Sequence, residues 1–241
     1  MALFDPRCPV TPQEHDWITG NMQWFETEFG DEPLRRPVIL PNDDFFPGVY
    51  RGTEADVTAT FQRIALAMRI DLRPVRFELV PDDEAALRAN LPVTYRASGA
   101  AGHFQVVDGS PIVTVHMGEA KRPASLVATI AHELAHVLLL YGERIDRDRP
   151  DMEPLTDLLT VYFGMGIFGA NAAFEYERGS WHRLGYLTEP MFGYALADYA
   201  LRRGEPDPPW IKYVDTNPRS ALRKGIKYLR HLAPGQTQPN E

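Results

Sequence analysis

Apolar residues recur at helical spacing over residues 54–70, where Val57, Phe61, Ile64, Ala65 and Met68 fall on one face. The same rhythm marks an N-terminal helix carrying Trp17, Ile18, Met22, Trp24 and Phe25. Its start has a chemical signature: Thr11 suits the N-cap, Pro12 the first helical position, and Glu14 the reciprocal capping position. Alternation of apolar and polar residues, the mark of a half-buried strand, runs over 75–80. Further strands are expected at 93–95, 103–107 and 112–116, joined by a Gly-rich turn at 98–102 and by Asp108-Gly109-Ser110-Pro111. That succession of turns predicts an antiparallel sheet. A short strand is expected at 38–40 with a loop at 41–52 behind it, and residues 82–84 open a short helix or a loop.

Two stretches are apolar nearly all round. Residues 123–140 have Pro123 in the position of a first turn and no further Pro or Gly before Gly142, which predicts a buried helix. Residues 158–174 are the most membrane-like part of the chain. They are short for a span, follow Asp157 and contain Gly164, Gly166 and Gly169, so a second buried helix starting near Pro154 is expected instead. A charged loop at 143–151 separates the two. Beyond them come a loop over 180–187, a helix over 189–200, a break at Pro206-Asp207-Pro208-Pro209, a final amphipathic helix over 219–231 and a disordered tail from Pro234.

These elements predict an α+β fold, with a small antiparallel or mixed sheet and a long buried helix followed by a helical C-terminal lobe. The expected division is an N-terminal extension (1–53) packing on the core, an α+β lobe (54–142), a helical lobe (143–233) and a tail (234–241).

Composition changes this picture little. Of 241 residues 44% are hydrophobic and 24% charged, as in an ordinary globular chain long enough for a substantial core. A net charge of −8 argues against a general nucleic-acid binder, which needs clustered cations. The single cysteine, Cys8, rules out an intrachain disulfide and fits a reducing compartment. No basic segment followed by an apolar run opens the chain, so no secretory signal and a cytoplasmic location are expected, with no membrane partner.

The candidate chemistry sits on the first buried helix, as His132-Glu133-Leu134-Ala135-His136. Histidines four residues apart project from one helical face a turn apart, so their ring nitrogens can converge on one ion. Glu133, beside the first of them, can take a proton from water held by that ion. Three titratable groups on a buried helix are costly unless something neutralises them, and a metal ion does so. A catalytic zinc needs a third protein ligand. The continuation H-x-x-G-x-x-H fails here, because Leu139 and Gly142 stand where Gly and His are required. Asp146 is near enough in sequence but sits in the charged loop, whereas Glu153 opens the second buried helix with Asp157 one turn behind it. His103 and His116, in the sheet region, lack ligand spacing and are read as structural or surface residues.

At Glu153-Pro154-Leu155-Thr156-Asp157 the chain resembles the gluzincins, the thermolysin-like branch of the zincin metallopeptidases, whose downstream helix carries an E-x-x-[ST]-D pattern. The resemblance covers about residues 111–170 and is that of a small, divergent member. It implies a zincin-like fold, zinc held by His132, His136 and Glu153, and Asp157 behind a ligand histidine, fixing its tautomer. It implies Glu133 as general base toward a zinc-activated water, and His182 or Tyr186 as the group that stabilises the oxyanion. It also implies a peptide or protein substrate paired along strand 112–116. The rival reading keeps the zinc without turnover, as a regulatory or peptide-binding protein.

Overall fold

The computed structural model describes residues 5–81, 101–173, 175–177, 180–182 and 185–232. The expectations at 82–84 and 93–95, and for the tail from Pro234, lie outside them.

Helix α1 (Pro12–Phe29) begins where its capping signature places it. The Thr11 hydroxyl accepts from the Glu14 backbone N–H, and the Glu14 carboxylate accepts from the Thr11 N–H in return. It buries Ile18, Met22 and Phe25. After the short α2 (Glu32–Arg35), helix α3 (Glu54–Ala67) repeats the device with Thr53 and Asp56, and turns Val57, Phe61, Ile64 and Ala65 inward. Residues 38–40 form no strand. Val38 and Ile39 are buried, but the Ile39 N–H donates to the Gly164 carbonyl, so this extended segment is satisfied by a helix end.

Strands β1 (Arg76–Val80), β2 (Gly102–Val107) and β3 (Ser110–His116) form one sheet in the order β1-β3-β2. β2 and β3 are a hairpin turning at Asp108 and Gly109, both with positive φ, which suits the twist of a tight two-residue turn. β1 is parallel to β3, Arg76 opposite Ile112 and Val80 opposite His116. The sheet is therefore mixed, the second of the two expected forms: only the β2–β3 pairing is antiparallel. β3 lies in the middle and buries Ile112, Val113 and Val115.

Helix α4 (Pro123–His136) carries the two histidines and runs across the sheet, with contacts to β2 and β3. Its last turn widens into a π-helical segment, Val137–Tyr141, before Gly142, so the regular α-helix stops at the second histidine. Widened turns of this kind favour functional sites. The run Pro123–Tyr141 is also the candidate span by length and apolarity, in place of 158–174, and 78% of its apolar window is buried inside the protein. Helix α5 (Met152–Tyr162) lies against α4, with Glu153 in its first turn. The expected single helix over 158–174 breaks. Gly164 takes φ of +79°, a left-handed conformation that follows the end of α5, and α6 (Gly166–Ala172) starts as a separate helix and packs on α4.

The expected loop over 180–187 is partly strand: β4 (Glu175–Glu177) and β5 (Ser180–His182) form a small hairpin. Helices α7 (Glu189–Arg202) and α8 (Thr216–Leu232) close the fold, and α8 sets Ala221, Leu222, Gly225 and Ile226 inward. The architecture is thus mixed α+β, dominated by helices, with a three-stranded mixed sheet and a two-stranded hairpin among the described residues.

Candidate metal centre

α4 and α5 face each other across the site. His132 and His136 project from α4, and Glu153 comes from the first turn of α5. Oε2 of Glu153 lies 3.0 Å from Nε2 of His132 and 3.3 Å from Nε2 of His136, and the two ring nitrogens are 3.2 Å apart. These three residues form a group able to hold a metal ion. The dimensions can be checked against an ion. Bonds of about 2.0–2.1 Å in a tetrahedron set neighbouring ligand atoms about 3.3 Å apart. The observed triangle has that size.

Hydrogen bonds on the far side of each ring fix what the triangle presents. Asp157 accepts from Nδ1 of His132 at 2.7 Å, which leaves the Nε2 lone pair aimed inward. Thr156 donates its hydroxyl to the Met152 carbonyl at 2.9 Å, so its oxygen faces Nδ1 of His136 as an acceptor at 3.4 Å. Phe104 of β2 stacks on the His136 ring, centroids 5.7 Å apart. Both imidazoles are thereby held as Nδ1–H tautomers, with two lone pairs and one carboxylate oxygen converging on a point. Three acceptors so placed repel one another unless a cation or a proton lies between them.

The acid–base shifts follow from this crowding. Burial opposes charge on His132, but the Asp157 and Glu153 carboxylates outweigh it and hold its pKa well above the ordinary value. Burial lowers that of His136, which is 1% exposed. Glu153 is penalised by burial, yet the two imidazoles beside it bring it down to about 2. Without a metal the triangle therefore shares a proton.

Glu133 stands beside the triad, and burial pushes its carboxyl up to about 7. Its Oε2 is buried and has no hydrogen-bond partner. Gly102, at the start of β2, makes this possible. A Cβ there would come 2.7 Å from the Thr129 methyl and 3.1 Å from Oε1 of Glu133, so the strand approaches α4 only because the side chain is absent. A cavity of about 60 Å³ opens at this place between α4, α5, α6, β2, residues 185–186 and Phe192 of α7.

Tyr186 stacks on His132, with centroids 5.8 Å apart and ring planes 21° from parallel. Its backbone N–H and that of Leu187 donate to Oδ2 of Asp157 at 2.5 and 3.1 Å. Burial, followed by the surrounding carboxylates, pushes the Tyr186 phenol up to about 12. His182 ends β5, and its side chain lies outside the described residues. Asp146 is exposed in its loop and accepts from the Asp148 N–H. His103 pairs with Thr114 in the sheet and His116 ends β3 beside Val80, and neither joins the metal-binding group.

Sequence reasoning thus placed His132, Glu133, His136, Glu153 and Asp157, which the fold brings together. It missed Thr129, one helical turn before Glu133, though the four-residue spacing was available to find it. It also missed Gly102 and Phe104, whose approach depends on tertiary packing. Comparison with family models, with curated proteins and with solved structures returns no match for this chain.

Proposed function

We propose that the chain is a zinc-dependent metallopeptidase, a small divergent member of the gluzincin type with a zincin-like fold, which hydrolyses peptide bonds in a peptide or protein substrate. The observation that carries this reading is the convergence of the His132, His136 and Glu153 donor atoms within a triangle of ion size, with the unpartnered Glu133 carboxyl beside it. A set of two imidazoles and one carboxylate suits zinc and leaves a coordination position open. When bound, zinc supplies Lewis acidity, which eases deprotonation of water and polarises a carbonyl.

The chain's own residues supply the rest. Glu133 holds and moves the proton: its carboxylate accepts one from the attacking water and returns it to the leaving amine. Asp157 keeps His132 in the tautomer that presents Nε2. Tyr186, kept a neutral phenol, is a candidate donor to the negative oxygen that develops on the substrate carbonyl, and His182 is the second candidate for that role. The substrate edge differs from the expected one. β3 is paired on both sides, whereas among the described residues β2 is paired only with β3. Its other edge, starting at the cleft-lining Gly102, is the one that can take an extended peptide.

Metal analysis combined with a cleavage screen tests the proposal. About one zinc per chain is expected, with cleavage of a peptide library that disappears in Glu133→Gln at unchanged zinc content. A metal-free protein indifferent to chelators overturns the metal site. Retained zinc and peptide binding without cleavage by the wild type would make the chain a zinc-containing peptide-binding protein instead.

A further inference from the structure

Glu153 must hold its carboxylate to within about half an ångström to serve both ring nitrogens, yet it stands in the first turn of α5, the part of a helix that frays. Local capping is missing there. Thr11, Thr53 and Thr188 each cap their own helix with a side-chain oxygen. Asp151 occupies the same position before α5 and accepts the Leu155 N–H at its carbonyl, but its carboxylate makes no cap bond. Pro154, third in the helix, has no N–H for such a bond to take. Aspartate is among the best capping residues. Here its side chain is engaged elsewhere.

The carboxylate is turned to α1. Its Oδ2 accepts the Trp17 indole N–H at 2.7 Å. Arg149 grips both oxygens, Nε donating to Oδ1 at 2.5 Å and Nη2 to Oδ2 at 3.0 Å. The same Nη2 lies 3.3 Å from Oδ1 of Asn21, whose amide donates to the Trp17 carbonyl at 2.7 Å. The guanidinium sits over the Trp24 ring, 5.9 Å from its centroid. Trp17, Asn21 and Trp24 follow the i, i+4, i+7 spacing of one helical face. That face of α1 holds the segment two residues before Glu153, and Trp17 supplies a direct bond to Asp151.

We propose, on the footing of the zinc site above, that Trp17 is a positioning residue for the metal centre: its bond to Asp151 stands in for the missing cap, fixes the first turn of α5 and so sets the Glu153 carboxylate where the ion requires it. A local cap would stabilise that turn but travel with it. A bond to another helix also fixes where the turn lies.

Zinc affinity, read by competition with a chromogenic chelator, is measured for wild type, Trp17→Phe, Glu153→Ala and the double variant. Phenylalanine keeps an aromatic ring and loses the donor. Trp17→Phe should weaken zinc binding about tenfold, the lower end of the range for losing a group that orients a ligand. The same substitution in Glu153→Ala should change nothing, because the carboxylate it positions is gone. A general loosening would weaken both backgrounds alike. Arg149→Met, which removes the other grip on Asp151 without altering α1, should repeat the pattern. Thr53→Ala removes the cap of α3, a helix that contributes no described residue to the cleft wall. It should lower the melting temperature and leave zinc affinity as in wild type. Wild-type affinity in Trp17→Phe, a loss that persists in the Glu153→Ala background, or an equal loss in Thr53→Ala overturns the inference. A wild type that binds no zinc, or Glu153→Ala binding it as tightly as wild type, overturns the metal site and the inference together. The coupled loss without peptide cleavage leaves the inference standing and removes the peptidase reading. Glu133-dependent cleavage with undiminished affinity in Trp17→Phe does the reverse.

Discussion

Replacing Asp157 by asparagine separates two jobs that one carboxylate performs. Oδ1 accepts from His132 Nδ1 at 2.7 Å, while Oδ2 accepts the Tyr186 and Leu187 N–H groups at 2.5 and 3.1 Å. An amide can face this environment in two ways. With its oxygen toward His132, its NH₂ meets two buried backbone donors, and leaving those unpaired costs about 1–3 kcal/mol each. With its oxygen toward the loop, both backbone bonds survive and the NH₂ faces His132. The second orientation is favoured by the larger number of preserved bonds. It demands a lone pair at Nδ1, so the ring proton moves to Nε2 and points into the triangle. Zinc affinity should then fall by about 10- to 100-fold, as when other ligand-orienting groups are lost, or about 1.4–2.7 kcal/mol. Metal-free stability should fall by less than in the alanine variant, since both backbone bonds survive and only the charge on the His132 pair is lost. Asp157→Ala loses all three bonds, about 3 kcal/mol or more, which at about 2–4 °C per kcal/mol for a chain of this size lowers Tm by at least 6 °C or so. Competition with a chromogenic chelator measures the affinity, and thermal melts of chelated protein measure the rest. Wild-type zinc affinity in Asp157→Asn, or equal melting of the two variants, would refute the reasoning.

Glu153→Ala should lose most of the zinc affinity, and unchanged zinc content would move the third ligand to Asp157. Glu133 titrates near 7 in the fold against an ordinary 4.5, so keeping it charged costs the folded state nothing below pH 4.5 and up to about 3 kcal/mol above pH 7. Metal-free Glu133→Gln should accordingly melt above metal-free wild type at pH 8, with the difference closing as pH falls toward 4.5. Because the His132 pKa is raised above 6.5, the metal-free ring carries a proton at pH 6.5 that zinc must displace. Affinity should rise with pH by up to about tenfold per unit per displaced proton, and calorimetry in two buffers of different ionisation enthalpy should register proton release. Gly102→Ala should push β2 off α4, at about 1–3 kcal/mol of stability, and abolish peptide cleavage while zinc content stays near one per chain.

The parts of this molecule that sequence made legible are those set by short spacing. A capping box is a contact three residues long, so Thr11 and Glu14 located the start of α1. Two histidines four apart on an apolar helix gave two members of the group able to hold a metal ion, and the five residues from Glu153 to Asp157 supplied the third from the start of α5. What stayed hidden depends on partners far along the chain. Alternation over 75–80 reveals a strand but not its neighbour, so the parallel pairing of β1 with β3 could not be read. Ile39 looked like a strand residue because extended backbone is common to both cases, and only the Gly164 carbonyl shows what it pairs with. The break in 158–174 needed one glycine in the left-handed region, and a sequence containing three glycines does not say which one turns. Asp157 was legible as a partner for His132. Its second role, tying Tyr186 and Leu187 to α5, spans about thirty residues.

The distribution of buried polarity bears on why these residues are present at all. Thr129, Glu133, His136, Thr156, Asp157 and Thr160 all belong to α4 and α5, and all are buried next to a core of Leu, Ile and Val. Apolar replacements of similar volume in such a junction are commonly neutral or stabilising, because the desolvation of charges is removed along with their pairing. Stability alone therefore gives no reason for a buried His–Glu–His–Asp chain. It gives still less for Oε2 of Glu133 and Oγ1 of Thr129, which are desolvated and unpaired. The satisfied members of the cluster, His132, His136, Glu153 and Asp157, hold one another in position. The two unpaired oxygens both belong to residues lining the cavity, and nothing in the helix packing satisfies them. Helix packing needs neither half of that division, whereas a site that fixes an ion and receives a reacting group needs both.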